Sequence, residues 1–138
     1  MVLFKKIGGV AQFLKNVNRI IYACDISYKA DINGILELPH QGLGVVIGDG
    51  CVIGPNVVIR QNVTIGAKIV DGKPYFPVIG SNVMIGAGAV LLGKINVGDN
   101  ASIGANAVVL ENVLSECTAV GVPAHIIPKN SGSGFMKN

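Results

Sequence analysis

The amino-acid sequence predicts an all-β fold, a left-handed parallel β-helix of hexapeptide repeats with a short N-terminal helix and one extruded loop. The first observation is a period of six that runs from Ile47 to Leu114. The second is that an aliphatic residue opens each of ten hexads, and glycine follows it in seven of them. The third is that the fifth place is small or aliphatic throughout. A period of six fits neither a helix nor an alternating strand, and it is typical of a solenoid.

Each place in the hexad has an expected position in a triangular coil made of three hexads. The first place is expected to face the core, and it holds Ile47, Ile53, Ile59, Ile65, Ile79, Ile85, Leu91, Val97, Ile103 and Val109. The fifth place is expected to fill the remaining interior, and it holds Cys51, Val57, Val63, Ile69, Val83, Ala89, Ile95, Ala101, Ala107 and Val113. Gly, Asn or Asp is expected near the corners, where backbone angles are unusual.

Size and composition limit the class of protein. A chain of 138 residues predicts one domain, and it contains no apolar run of about 18 residues that would span a membrane. No signal peptide is recognisable, so a cytoplasmic location is expected. Cys24, Cys51 and Cys117 lack metal-ligand spacing and are interpreted as structural thiols, and no metal is expected. The net charge is +3, and basic residues do not alternate with aromatic ones, which argues against nucleic acid as a partner.

The N-terminal segment, residues 1–24, is predicted to contain a short amphipathic helix. Apolar residues recur there at steps of three and four, namely Val10, Phe13, Leu14, Val17, Ile20 and Ile21. One interpretation is a cap over the first coil, because an open solenoid end exposes core and unpaired strand edges. The other is attachment to the inner face of a membrane, since the segment contains four basic residues and no acidic ones.

Two interruptions of the period divide the predicted β-helix of residues 25–128. The first is a bulge at Pro39 to Gly44, after degenerate hexads that open at Ile26, Ile32 and Leu38. The second is a loop at residues 68–78, which contains turn residues and the aromatic pair Tyr75 and Phe76. Insertions in a solenoid usually lie on one face, which is often the binding face. Residues 129–138 are expected to form a flexible tail.

The first interruption contains the strongest candidate for a catalytic base. His40 stands at a corner of the coil between Pro39 and Gln41, whereas His125, the other histidine, lies near the C-terminus. Asp25 precedes His40 by fifteen residues, close to one coil of eighteen, so an Asp–His dyad between adjacent coils is possible. A capping role for Asp25 is the alternative. No serine stands in a nucleophile context, which favours direct transfer with His40 as general base.

At this point the sequence resembles the hexapeptide-repeat acyltransferases, and among them the serine acetyltransferases and the capsule and colanic-acid O-acetyltransferases. The resemblance covers residues 25 to about 129. The matching segments are Asp25 to Ile26, Leu38 to His40, Ile59 to Gly66, Val83 to Ala89, Ile103 to Val109 and Gly121 to Ala124. It implies an acetyl-CoA-dependent O-acetyltransferase that forms a homotrimer with active sites between subunits.

The resemblance also implies roles for individual residues. His40 matches the catalytic histidine of the family and Asp25 its dyad aspartate. Gly66, Ala67, Ala87 and Ala105 match positions where the backbone lies along the pantetheine arm of acetyl-CoA. Lys129 is a candidate contact for a CoA phosphate. Pro39, Gln41, Tyr75 and Phe76 are the candidate acceptor-binding residues, because they lie in the two interruptions.

Departures from the serine acetyltransferase pattern favour another acceptor. Those enzymes have Asp where this chain has Pro39, and Arg-His-Pro where it has Tyr75, Phe76 and Pro77. An unpaired substrate carboxylate would be costly to desolvate. The main hypothesis is therefore acetyl transfer to a hydroxyl of a sugar or polysaccharide precursor, with an aromatic loop that stacks on the sugar ring. The alternatives are serine O-acetylation, and a catalytically silent trimeric scaffold.

Overall fold

The computed structural model describes residues 8–129. Helix α1 spans Gly8–Tyr22 and precedes a series of short strands. The earlier strands are β1 (Asp25–Ile26), β2 (Asp31–Ile32), β3 (Leu36–Glu37), β4 (Val46–Ile47), β5 (Val52–Ile53), β6 (Val57–Ile59), β7 (Thr64–Gly66), β8 (Lys68–Val70) and β9 (Lys73–Tyr75). The later strands are β10 (Val78–Ile79), β11 (Met84–Ile85), β12 (Val90–Leu92), β13 (Asn96–Val97), β14 (Ser102–Ile103), β15 (Val108–Val109), β16 (Cys117–Val120) and β17 (His125–Pro128).

Three sheets form the sides of a triangular prism. Face A contains β1, β4, β7, β12 and β15, face B contains β2, β5, β10 and β13, and face C contains β3, β6, β11, β14, β16 and β17. Neighbouring strands come from successive coils and run parallel, so that Ile47 pairs with Ile65 and Ile85 with Ile103. The exception within these faces is β17, which returns antiparallel along β16. The predicted left-handed parallel β-helix is confirmed.

The edges of the prism are named here by the faces that they join. The C/A edge comprises residues 38–45, 60–63, 86–89 and 104–107, and the A/B edge comprises residues 27–30, 48–51, 67–77 and 93–95. The B/C edge comprises residues 33–35, 54–56, 80–83, 98–101 and 114–116. Because each edge recurs once in every coil, residues far apart in sequence lie one above another along it.

The core follows the hexad pattern. Every predicted first-place residue from Ile47 to Val109 is at most 3% exposed, and nine of the ten predicted fifth-place residues are equally buried. The prediction is wrong for Ile69, which is 63% exposed because the chain has already left the coil for the strand pair β8 and β9. Glycine in the second place permits close stacking of coils: a Cβ added to Gly86 would lie 2.6 Å from the backbone nitrogen of Ala105.

Both predicted interruptions are present. Pro39–Gly42 forms a 3-10 turn in which His40 and Gln41 adopt left-handed backbone angles, with φ of 56° and 59°. The second interruption is an antiparallel hairpin of β8 and β9 that leaves the A/B edge. The hairpin confirms the extruded loop, and the adjoining segment folds back onto the coil through Phe76, as described below.

Helix α1 lies beside β1 at the N-terminal end of the prism. Ala11 is buried there, and the thiol of Cys24 lies 3.9 Å from the carbonyl oxygen of Asn18. The apolar residues that predicted an amphipathic helix are instead mostly exposed, including Val10, Phe13, Leu14, Ile20 and Ile21. A cap and a membrane attachment both remain predictions for this segment. Within residues 8–129, no helix is long and apolar enough to cross a bilayer.

Some sequence-based expectations lie partly outside the described residues. The predicted N-terminal segment begins before Gly8, and all but one residue of the predicted flexible tail follow Lys129. The division into segments 1–24, 25–128 and 129–138 therefore stays a prediction. The three cysteines, by contrast, are all described, and they are free and buried as the sequence predicts.

Candidate functional site

His40 lies on the C/A edge in a turn that the sequence shapes locally. Proline precedes it, and the carbonyl of His40 accepts a hydrogen bond of 3.2 Å from the backbone N–H of Leu43. Gly42, whose φ is 74°, is buried beneath the turn. The imidazole is exposed and makes no hydrogen bond or ion pair with another residue in the range 8–129. The turn thus presents, at the surface of the prism, an imidazole that has no partner among residues 8–129.

Asp25 begins the strand β1, one coil before the turn of His40. Its backbone N–H donates to the carbonyl of Val45 at 2.8 Å, and the N–H of Gly44 donates to the carbonyl of Ala23 at 3.0 Å. The segment around Asp25 therefore runs directly beside the end of the bulge. This backbone arrangement agrees with the expectation that Asp25 and His40 occupy adjacent coils.

The carboxylate of Asp25, however, has other partners. Its Oδ1 lies 2.8 Å from Nζ of Lys15, and its Oδ2 lies 3.9 Å from a guanidinium nitrogen of Arg19. Among the described residues, it forms neither a hydrogen bond nor an ion pair with His40. The predicted dyad stays a prediction. Sequence reasoning missed Lys15, although its place four residues before Arg19 on a helix that leads into β1 was a usable signal.

Gln61 is a second residue that sequence reasoning missed. It lies on the C/A edge in the coil after His40, where the N–H of Asn62 donates to the carbonyl of Leu43 at 2.9 Å. The side-chain oxygen Oε1 of Gln61 is buried and has no hydrogen-bond partner among residues 8–129. A buried amide oxygen without a donor costs about 1–3 kcal/mol, so this corner is not at its most stable arrangement.

The residues predicted to bind the cofactor lie on two different edges. Ala87 and Ala105 lie on the C/A edge, the same edge as His40. Their backbone N–H groups donate to no other residue of the described chain. Gly66 ends β7 and Ala67 follows it on the A/B edge. One copy of the chain therefore does not bring the four predicted cofactor residues together.

Lys129 lies on neither of those edges. Its Nζ donates to the carbonyl of Asn100 on the B/C edge, and its N–H donates to the carbonyl of Glu116 at 2.8 Å. Within one copy, the antiparallel return of β17 leads Lys129 to the B/C edge, and its contact with a CoA phosphate stays a prediction.

The aromatic residues of the second interruption are held within the chain. The ring of Phe76 covers Gly48 and Gly50 on the A/B edge, and a Cβ added to Gly50 would lie 2.3 Å from Cδ2 of Phe76. The ring of Tyr75 has Nζ of Lys94 at 5.9 Å from its centroid. Phe76 is thus partly covered by its own coil, and the acceptor-binding roles of Tyr75 and Phe76 stay predictions. Pro39 and Gln41 do accompany His40, and Gln41 is exposed.

One cluster of charged groups on the A/B edge is explained by contacts among its own members. On the A/B edge, the hydroxyl of buried Ser27 donates to Oδ1 of Asp49 at 2.6 Å, and Nζ of Lys29 lies 3.5 Å from Oδ2. The Ser27 hydrogen bond, with a further contribution from Lys29, lowers the pKa of Asp49. This cluster is satisfied and contains no group poised for catalysis.

Known proteins share the repeat pattern of this chain. The family model "Bacterial transferase hexapeptide (six repeats)" matches residues 44–68 and 76–111. The two matched segments are separated by most of the hairpin and the start of the return to the coil. The chain thus resembles the hexapeptide-repeat transferases in both of these segments.

The similar proteins within this family are serine acetyltransferases. One, from Staphylococcus xylosus, is 43% identical over 126 residues, which is 91% of this chain and 58% of the relative. The structure of the Neisseria gonorrhoeae enzyme in complex with serine has 41% identity and a TM-score of 0.78, covering 85% of this chain and 47% of that one. A serine acetyltransferase in complex with CoA has 40% identity and a TM-score of 0.78, covering 86% and 48%. The hexapeptide-repeat chain thus spans about half the length of these relatives.

Proposed function

We propose that this chain is an acetyl-CoA-dependent O-acetyltransferase and that its acceptor is L-serine. The observation that carries the proposal is the location of His40, an exposed imidazole without a partner among the described residues, on the edge that also presents the N–H groups of Ala87 and Ala105. The similar proteins named serine acetyltransferase support serine over the sugar hydroxyl favoured by the sequence departures.

The chemistry assigned to His40 is general-base catalysis. Its imidazole removes the proton of the acceptor hydroxyl as the oxygen attacks the thioester carbonyl of acetyl-CoA. The C–O bond forms, the C–S bond breaks, and the imidazolium returns the proton to the departing CoA sulfur. Backbone N–H groups on the edge, such as that of Ala87, are suited to stabilise the negative oxygen of the tetrahedral intermediate. Asp25 orients the imidazole in this mechanism.

A carboxylate on the acceptor requires a cation, and Arg60 is available. Leu36 pairs with Val57 and Glu37 with Val58, so the same register carried forward places Arg60 one coil from Pro39, beside the turn of His40. The guanidinium is exposed and has no ion-pair partner within residues 8–129. An Arg can bind a carboxylate through two parallel hydrogen bonds, which compensates for the absent Arg-His-Pro sequence of the loop.

The separation of the cofactor residues supports a homotrimer. Ala87 and Ala105 on the C/A edge of one copy would meet Gly66 and Ala67 on the A/B edge of its neighbour, in a cleft between subunits. Closed cyclic assembly gives each of three clefts the same composition. A mass three times that of the chain by light scattering is expected, and a monomer that binds acetyl-CoA fully would contradict the shared site.

The acceptor is tested by CoA release. The purified chain is incubated with acetyl-CoA and either L-serine, a panel of capsular sugars, or no acceptor, and free CoA thiol is measured while mass spectrometry identifies the acetylated product. We expect CoA release and O-acetylserine with L-serine. Release with a sugar alone would overturn the serine assignment and retain acetyl transfer. No stimulation by any acceptor would favour the catalytically silent scaffold.

The sugar hydroxyl remains a second candidate because of Pro39 and the loop sequence at residues 75–77. Those residues lack the groups that serine acetyltransferases supply at the matching positions. The internal packing of Phe76 weakens this candidate, since its ring is already covered by contact with its own coil.

A further inference from the structure

The carboxylate of Asp25 is held asymmetrically by helix α1. Its Oδ1 forms an ion pair with Nζ of Lys15 at 2.8 Å, whereas its Oδ2 is 3.9 Å from Arg19, beyond hydrogen-bond distance. The side chains of Lys15 and Asp25 are 23% and 31% exposed, so water screens this pair less than an open surface pair. One oxygen is therefore anchored, and the other lacks a hydrogen-bond donor among the described residues.

Oδ2 is the oxygen without a donor, and its residue, Asp25, lies on the strand that borders the turn of His40. Asp25 is fixed along β1 by its hydrogen bond with Val45 and by its pairing with Val46. The neighbouring strand β4 brings no charge to the carboxylate, since it consists of Val46 and Ile47. Among residues 8–129, the charged groups that contact Asp25 are Lys15 and Arg19 from α1, and the adjacent titratable group is the Cys24 thiol, whose pKa is raised by burial.

We propose that Lys15 is a positioning residue that acts on His40 through Asp25. By holding Oδ1, Lys15 leaves Oδ2 to accept a hydrogen bond from the imidazole when substrate organises the turn. Arg60 follows β6, which contacts the turn of His40, and it adds a further positive charge on that side among the described residues. The inference rests on the proposed function, because it assumes the Asp25 and His40 pair.

The test uses the fact that the chain has only two histidines. NMR titration of the imidazole signals follows His40 directly, with His125 as an internal reference, and the pH profile of kcat/KM follows the same group in turnover. The variants are Lys15→Met, Lys15→Arg, Asp25→Asn and the double variant Lys15→Met with Asp25→Asn. Lys29→Met is the matched control, since Lys29 also faces an aspartate but on another edge. Circular dichroism establishes that each variant is folded.

We expect Lys15→Met to move the titration midpoint of His40 upward and the acidic limb of kcat/KM with it, because a nearby positive charge is lost, with the reference His125 unchanged. Lys15→Arg restores the wild-type midpoint, and Lys29→Met leaves it unchanged. In the Asp25→Asn background, Lys15→Met has no further effect, because the intermediary is gone.

Three results would overturn the proposal. They are an unchanged His40 midpoint in Lys15→Met, a displaced midpoint in Lys15→Arg, and a Lys15→Met shift that is as large in the Asp25→Asn background as in the wild-type background. The histidine titration needs no turnover, so it distinguishes this inference from the function itself. If wild-type protein releases no CoA with any acceptor but the titration shifts as expected, the coupling stands and the proposed reaction fails.

Discussion

The ring of Phe76 lies against Gly50, so close that a Cβ added at Gly50 would approach Cδ2 of Phe76 to 2.3 Å. The same ring contacts Gly48, where an added Cβ would lie 3.1 Å from Cε1. Phe76 follows the hairpin of β8 and β9 and is packed against the hydrophobic core. Two glycines on the A/B edge thus form the surface on which Phe76 packs where the extruded chain rejoins the coil.

Gly50→Ala is expected to displace Phe76 and loosen the hairpin without unfolding the prism. The new methyl group cannot coexist with the ring in its present position, and loss of the contact costs about 1–2 kcal/mol. Hydrogen exchange of residues 68–76 should accelerate, while the core strands stay protected. Gly9→Ala is the control, because nothing lies within 4 Å of a Cβ at that position. Unchanged exchange in Gly50→Ala would show that Phe76 does not anchor the hairpin.

The B/C edge carries a ladder of side chains that should contribute to stability. Nδ2 of Asn56 donates to Asn82 at 3.3 Å, and Nδ2 of Asn82 donates to Asn100 at 3.2 Å. Asn82 also has a left-handed φ of 56°. Asn82→Ala is expected to lower the free energy of unfolding by about 1–2 kcal/mol, through the lost hydrogen bonds and because Ala lacks the polar side chain that lets Asn tolerate the left-handed region.

Asn82→Gly separates the two contributions. Glycine tolerates the left-handed angle but lacks the amide, so its free energy of unfolding should lie between those of wild type and Asn82→Ala. Urea denaturation of the three proteins provides the measurement. Equal free energies of unfolding in wild type and Asn82→Ala would show that the ladder of asparagine side chains does not stabilise this edge.

The sequence predicts those parts of the fold that depend on the repeat, and it misses those that depend on packing between segments. The buried Ile of each hexad and both interruptions follow from the period of six, because stacked coils repeat their environment. Ile69 breaks the pattern because the hairpin leaves the coil one residue after Ala67. The contact of Lys15 with Asp25 requires knowing how α1 rests on β1, which no local pattern specifies.

The candidate site was predictable to a similar degree. His40 could be located from the bulge alone, because an insertion at one corner isolates its residues from the regular array. The packing of Phe76 onto Gly50 could not be predicted, since an aromatic residue in a loop can equally contact its own chain or a ligand. The hydrogen bond from Lys129 to Asn100 depends on the antiparallel return of β17, which lies beyond the last hexad.

Cys51 should make stability fall at alkaline pH. Burial raises the pKa of its thiol to about 11, and the neutral thiol donates to the carbonyl of Ile65 at 3.4 Å. The thiol of the unfolded chain ionises at about pH 8.5. The stability contributed by the neutral Cys51 thiol is therefore fully present below that pH, and it is lost as the pH rises towards the pKa of the folded protein. The free energy of unfolding should therefore drop more between pH 8 and 10.5 in wild type than in Cys51→Ala. Equal drops would contradict a buried neutral thiol at this position.

Arg60→Gln tests whether this guanidinium binds the acceptor carboxylate. The variant should raise the KM for L-serine about tenfold or more, because a lost charged hydrogen bond is worth about 1.5–3 kcal/mol. The KM for acetyl-CoA should change little. Lys29→Gln is the control, since Lys29 is an exposed cation that pairs with Asp49 and lies apart from the candidate site residues. An unchanged KM for serine would exclude Arg60 from acceptor recognition.

The most direct test of the account compares His40→Asn with His125→Asn in the CoA release assay with L-serine. Loss of a general base typically lowers turnover by about 10²–10⁴-fold, so His40→Asn should reduce kcat within that range while circular dichroism and the assembly state match wild type. His125, on β17 at the C-terminal end, should tolerate the same substitution with kcat near the wild-type value. Wild-type kcat in His40→Asn would contradict the assignment of His40 as the base and, with it, the proposed mechanism.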